Sequence, residues 1–121
     1  MKKNTSRKGA FTLVEIMIVV AIIGLLAAIA IPNFVKARTT AQKNACINNL
    51  RQIDGAIQQW ALETKQAATA NVGLVDVTPY LKNSVICPAA GATATISDSY
   101  VTTDVQTHPT CKIDTTHVLP P

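Results

Sequence analysis

Aromatic residues are scarce: Phe11, Phe34, Trp60, Tyr80 and Tyr100 are the only five in 121 residues, too few and too scattered for a dense aromatic electron path. Charge is scarce as well, at 15% of the chain. The formal net charge of +4 points to no acidic partner once it is located. Lys2, Lys3, Arg7 and Lys8 precede residue 10 with no acidic neighbour, and the rest of the chain balances seven basic against seven acidic residues. No nucleic-acid site is therefore expected. The sequence also lacks a nucleophile-elbow serine, a glycine-rich phosphate loop and paired acids at a useful spacing, so no enzyme is expected. Cys87, Cys111, His108 and His117 have metal-ligating side chains but show no CxxC or HxxxH spacing, and no metal site is expected from them.

What is present is a long apolar run. Ala10 to Ile31 covers 22 residues interrupted only by Thr12 and Glu15, and Ile16 to Ile31 has no charged or strongly polar side chain. At ~1.5 Å per residue, ~20 helical residues cross a bilayer core. The basic residues before the run predict an N-in, C-out topology, although Lys36 and Arg38 on the far side weaken the asymmetry. A cleaved secretory signal is the competing reading, with Ala28-Ile29-Ala30 as a small-x-small site before Ile31. Glu15 argues against it. A carboxylate costs ~2.5 kcal/mol or more at mid-membrane and somewhat less near an end, and a disposable signal gains nothing from it.

The stretch GAFTLVEIMIVVAIIGLLAAIAIPNF, with the basic residues before it, resembles the N-terminus of type IV pilins and type II secretion pseudopilins. The likeness is dense over about residues 7–60 and loose beyond. It implies that a prepilin peptidase removes residues 1–10 as a leader on the cytoplasmic side and methylates the new amine of Phe11, making Glu15 the fifth residue. Family leaders usually end in glycine; here Ala10 holds that place and Gly9 lies one back, so cleavage after Gly9 would make Glu15 the sixth. The resemblance also implies that Glu15 pairs with the Phe11 amine of a neighbouring subunit and sets register during assembly. That fits the physics, because an ion in a low-dielectric medium is far less costly when paired than when alone. The implied partners are further copies in a helical filament, the peptidase and an inner-membrane assembly platform. The implied location is the bacterial inner membrane, then an extracellular pilus or a periplasmic pseudopilus.

The expected fold is α+β: a membrane-spanning helix over 11–32, an amphipathic helix over 33–66, and a small antiparallel β-rich head over 67–121. Gly24 and Pro32 are helix breakers, since Pro32 lacks a backbone donor and its ring crowds the Ala28 carbonyl. A loosened segment is expected within about 24–32, as in family filaments. Beyond Phe34 the residues Cys46, Leu50, Ile53, Ile57, Trp60 and Thr64 recur at spacings of four and three, one face of a helix packed against a core.

In the head, Thr78-Pro79-Tyr80-Leu81 reads as a cap, a first-turn proline and a short helix. Ala92 to Ile96 and Tyr100 to Val105, separated by Ser97-Asp98-Ser99, predict a hairpin, with a third strand near Lys112 to Val118. Three cysteines suit an exported protein with one disulfide and one thiol left over, and sequence alone does not fix the pair. Pilins carry a disulfide in the C-terminal part of the head, which by resemblance implies Cys87–Cys111, closing a loop worth ~3.5 kcal/mol of chain entropy. No cofactor is expected; Asp98, Asp104 and Asp114 offer dispersed carboxylates for which calcium is a weak candidate.

Overall fold

A computed structural model describes residues 9–121; the basic positions Lys2, Lys3, Arg7 and Lys8 of the expected leader lie outside the described residues. Helix α1 spans Leu13–Thr64 in 52 residues without a break. Thr12 precedes it and Glu15 stands three residues on, the T-x-x-E pattern of a capping box. The Thr12 amide donates to Glu15 Oε2 at 2.9 Å, and the Glu15 amide donates to Thr12 Oγ1 at 3.3 Å. The helix continues through Gly24 and Pro32, where a loosened segment was expected. Pro32 removes a single ladder hydrogen bond, and the flanking alanines, isoleucines and leucines are good enough helix formers to carry the helix across it. The other end closes with Lys65 in the left-handed region, φ 54°, and the Gln66 amide donating to the Ala61 carbonyl at 2.9 Å. That six-to-one bond is a Schellman closure, made without the usual glycine.

The described chain divides after Ala37 into two units. In the first, every described residue is exposed except the intermediate Ala27, including Phe11, Leu13, Ile16, Ile23, Leu26 and Ile31. A helix apolar on all sides is suited to lipid or to other helices rather than to water.

The second unit, Arg38–Pro121, contains the core. Cys46, Leu50, Ile53, Ala56, Ile57 and Ala61 of α1 are buried, and Trp60 is half-buried against them. The expected stripe thus holds from Cys46 to Trp60. Thr64 departs from it: the side chain is exposed and its hydroxyl donates to the Trp60 carbonyl at 2.6 Å.

After α1 the chain forms a short helix α2 (Leu74–Val77), a 3-10 turn over Thr78–Tyr80 with Pro79 in its first turn, and helix α3 (Ile96–Ser99). Strands β1 (Tyr100–Val101) and β2 (Thr110–Cys111) pair antiparallel, Tyr100 opposite Cys111 and Val101 opposite Thr110. The head is therefore α+β with a two-stranded sheet.

The expected hairpin between 92–96 and 100–105 does not form. Asp98 accepts both the Thr95 amide at 2.9 Å and the Thr95 hydroxyl at 2.6 Å, turning 96–99 into a helical turn rather than a hairpin loop. Tyr100 and Val101 pair instead with Thr110 and Cys111, just before the strand expected at 112–118, and 112–118 itself has no strand. Residues 102–106 run beside 68–72, joined by Val72 N to Thr103 O, Val105 N to Ala70 O and Gln106 N to Ala68 O.

Two measurements test this core. Replacing Ile53, which is fully buried, by alanine is expected to destabilise the head by about 2–5 kcal/mol. Leu62→Ala, at an 81% exposed position on the same helix, should stay within about 0.5 kcal/mol. Denaturant titration of the detergent-solubilised chain, followed by Trp60 fluorescence, reads both. Asp98 supplies a pH signature: hydrogen bonds from Thr95 hold its carboxyl below the ordinary 3.8. Its contribution is present above that value and is lost as pH falls through the lowered one. Melting temperatures recorded between about pH 5 and pH 2 should fall less steeply in Asp98→Asn than in the parent chain.

Candidate functional site

Two sites carry chemistry, one in each unit. The first is the start of α1. Gly9, Ala10, Phe11 and Glu15 are all exposed, and Gly9 to Thr12 lie outside any helix or strand. A scissile peptide must be extended and accessible to enter a protease, and the helix begins only at Leu13, two residues past the expected cleavage point. Glu15 is the acidic residue of the first helical turn, where the helix dipole favours a negative charge. Its bond to the Thr12 amide answers locally why a carboxylate belongs there: it satisfies a helix donor that has no partner within the helix. The helix that follows is long and apolar enough to cross a membrane, by length and composition.

The second site lies in the head. Cys46 on α1, Cys87 in the loop before α3, Cys111 on β2 and His117 in the C-terminal turn converge, with one ligand atom from each lying within 4.8 Å of the others. Cys111 Sγ lies 3.8 Å from Cys87 Sγ, and His117 Nδ1 lies 3.8 Å from Cys87 Sγ and 3.9 Å from Cys111 Sγ. All four residues are buried.

The sequence pairing Cys87–Cys111 is thus brought together but left unbonded, and all three cysteines are thiols. A third sulfur and an imidazole share the same pocket. Burial pushes the Cys46 and Cys87 thiols above their ordinary range. Tyr100 closes the pocket, its phenolic oxygen accepting from Asn49 Nδ2 at 3.1 Å and from the Cys46 thiol at 3.6 Å. The Ser99 hydroxyl accepts the Cys87 amide at 3.2 Å and donates to the Thr95 carbonyl at 3.0 Å.

The other residues considered for metal chemistry lie apart. His108 Nδ1 is 3.2 Å from Asp54 Oδ1 at the surface. Asp98, Asp104 and Asp114 each accept hydrogen bonds within their own turns, from Thr95, from the Gln106 and Thr107 amides, and from Thr116. Sequence spacing missed Cys46 as a member of the cluster because its three companions follow 41, 65 and 71 residues later.

Comparison with known proteins bears on the first site. The profile of the family described as the prokaryotic N-terminal methylation motif matches residues 5–31. The type II secretion system core protein G of Escherichia coli (strain K12) is 33% identical over 72 residues, covering 60% of this chain and 50% of that protein. The type IV major pilin protein PilA of Myxococcus xanthus (strain DK1622) is 53% identical over 47 residues, 39% of this chain and 21% of the pilin. The type IV major fimbrial protein FimA of Dichelobacter nodosus is 41% identical over 68 residues, 56% of this chain and 44% of the fimbrial protein. The chain spans about half the length of these curated relatives or less. No solved structure matches it. The N-terminal segment of the chain thus carries the prokaryotic N-terminal methylation motif, and the homologues that match it are named as type IV pilins and as a type II secretion core protein. The relatives are structural subunits rather than enzymes.

Tyr100 offers a direct test of the head site. Tyr100→Phe removes the acceptor of the Asn49 and Cys46 bonds while keeping the ring, and is expected to destabilise the head by about 1–3 kcal/mol, because a half-buried amide and a buried thiol each lose a partner. Asn49 keeps its second bond, to the Ile86 carbonyl at 2.9 Å. Adding Asn49→Ala should therefore give a double mutant less destabilised than the sum of the two single changes, by denaturant titration.

Proposed function

We propose that this chain is a structural subunit of a type IV pilus-like filament. A prepilin peptidase cleaves it before Phe11 on the cytoplasmic face of the inner membrane and methylates the new amine. The subunit waits in the membrane with its N-terminus inside and its head outside. An assembly platform then draws it into a filament whose core is the apolar half of α1 and whose outer surface is the head. The observation that carries this reading is the first half of α1, Leu13 to Ile31, exposed and apolar on every side, with one carboxylate in its first turn. Such a surface is stable only in lipid or against copies of itself, and the two states are those of a stored and an assembled subunit.

Glu15 changes partners between those states. In the single chain it accepts the Thr12 amide; in the filament it meets the Phe11 ammonium of a neighbour as well, since a carboxylate has two oxygens and about four acceptor sites. The charge pair forms only when neighbouring helices have the correct axial offset, so it selects one register. Any loosening between Gly24 and Pro32 belongs to the assembled state, where packing of neighbouring helices supplies what the single helix lacks.

The major pseudopilin of a type II secretion system is the second reading. It rests on the match to core protein G, which extends over 60% of the chain, against 56% for the FimA fimbrial protein and 39% for the PilA pilin.

Intact mass and N-terminal sequencing of the chain from native membranes and from the sheared surface fraction test both. A methylated Phe11 is expected, and a start at Ile31 would refute the proposal in favour of a secreted head. Recovery from sheared surface filaments supports the pilus; retention in the periplasm supports the pseudopilus. Glu15→Ala should leave membrane insertion intact and abolish incorporation into filaments.

A further inference from the structure

We infer that the head binds one zinc ion through Cys46, Cys87, Cys111 and His117. Four zinc ligands at a tetrahedral centre, with Zn–S ≈ 2.3 Å and Zn–N ≈ 2.0–2.1 Å, stand about 3.8 Å apart sulfur to sulfur and about 3.6 Å apart sulfur to nitrogen. The observed Cys87–Cys111 separation is 3.8 Å, and the two sulfur-to-Nδ1 separations are 3.8 and 3.9 Å. The fourth ligand, Cys46 Sγ, lies within 4.8 Å of the rest. Three sulfurs and one imidazole in a closed, buried set match structural zinc in both number and softness.

A disulfide accounts for less of this arrangement. It would draw two sulfurs to about 2.05 Å, leaving the third thiol and the imidazole buried beside it with nothing to bind. Zinc uses all four groups.

The surroundings orient the imidazole. Asp114 Oδ2 lies 3.7 Å from His117 Nε2, the side facing away from the sulfurs. The carboxylate favours a proton on the Nε2 side by its charge, and the tautomer with that proton leaves the Nδ1 lone pair directed at the cluster, similar to the carboxylate–histidine–zinc arrangement. Asp114 is itself fixed by the Thr116 amide and hydroxyl, both at 2.8 Å. The ion would tie α1, the Cys87 loop, β2 and the C-terminal turn to one point. A head whose sheet has two residues in each strand gains much from such a tie. Binding is coordination without redox change: three thiol protons pass to solvent as the thiolates bind the cation.

Elemental analysis of the full chain, purified in mild detergent without chelator, is expected to find about one zinc per chain. All three thiols should titrate after denaturation in chelator. Cobalt(II) loaded in place of zinc should show the visible bands of a tetrahedral thiolate complex. Cys46→Ser should abolish zinc retention, and Asp114→Asn should weaken zinc affinity by about 10–100-fold while leaving the four ligands in place. A chain carrying a Cys87–Cys111 disulfide, read as a mass 2 Da below the reduced value with one free thiol, overturns the inference. So does a reduced wild-type chain that takes up no zinc from stoichiometric solution. Neither result bears on the filament reading, which depends on the apolar half of α1 with Phe11 and Glu15.

Discussion

The head has very little regular structure of its own, and the constraint on which it depends is the face that α1 presents to it. The two strands contribute four residues, and the short helices four each. The largest fully buried side chains include Leu50, Ile53 and Ile57 of the helix together with Tyr100 and Val77 of the head. A helix half with one apolar stripe provides a continuous wall on which irregular segments can bury side chains while their backbone groups bond to each other or to helix side chains. Gln58 Nε2 donating to the Val105 carbonyl at 2.8 Å and Asn49 donating to the Ile86 carbonyl show how the helix serves loops that lack a ladder. The head is therefore specified mainly by contacts between residues far apart in sequence.

That division explains what could be read from the sequence. The apolar run, the amphipathic stripe from Cys46 to Trp60, the helix end, expected near residue 66 and found at Thr64, and the first-turn proline at Pro79 all depend on periodicity or local turn chemistry. The hairpin failed where a local signal was misread: Ser97-Asp98-Ser99 looks like a turn, yet Thr95 with Asp98 three residues later is also a helix start, and that reading prevails. The strand partner of Tyr100–Val101 then moved to Thr110–Cys111, because the tighter turn no longer connects the expected neighbours. The convergence of Cys46 with Cys87, Cys111 and His117 was illegible for a different reason. Four ligands on four separate elements leave no short motif, and only the packing of the head against α1 brings them together.

Glu15 shows how one residue can serve two levels of organisation. Within a chain its carboxylate completes the first turn of α1, a local role that any acid at this position of a capping box performs. In the proposed filament the same atoms identify a neighbour. The local bond keeps the side chain near the helix end and close to the backbone, which reduces the conformational freedom lost when the ammonium arrives. A carboxylate placed further along the helix would have no such holding contact and would lie deeper in hydrocarbon, where its solvation cost is highest.

The brevity of the strands has a consequence for crowding. Long, flat strand edges invite pairing between molecules, and a subunit held at high local density in a membrane or along a fibre meets its copies continually. With β1 and β2 two residues long, and the segments around them held by side-chain and turn bonds, the head offers its neighbours almost no template for β-sheet extension. Order between copies can then be dictated by the helices, with little competition from the sheet-to-sheet association that leads to amyloid.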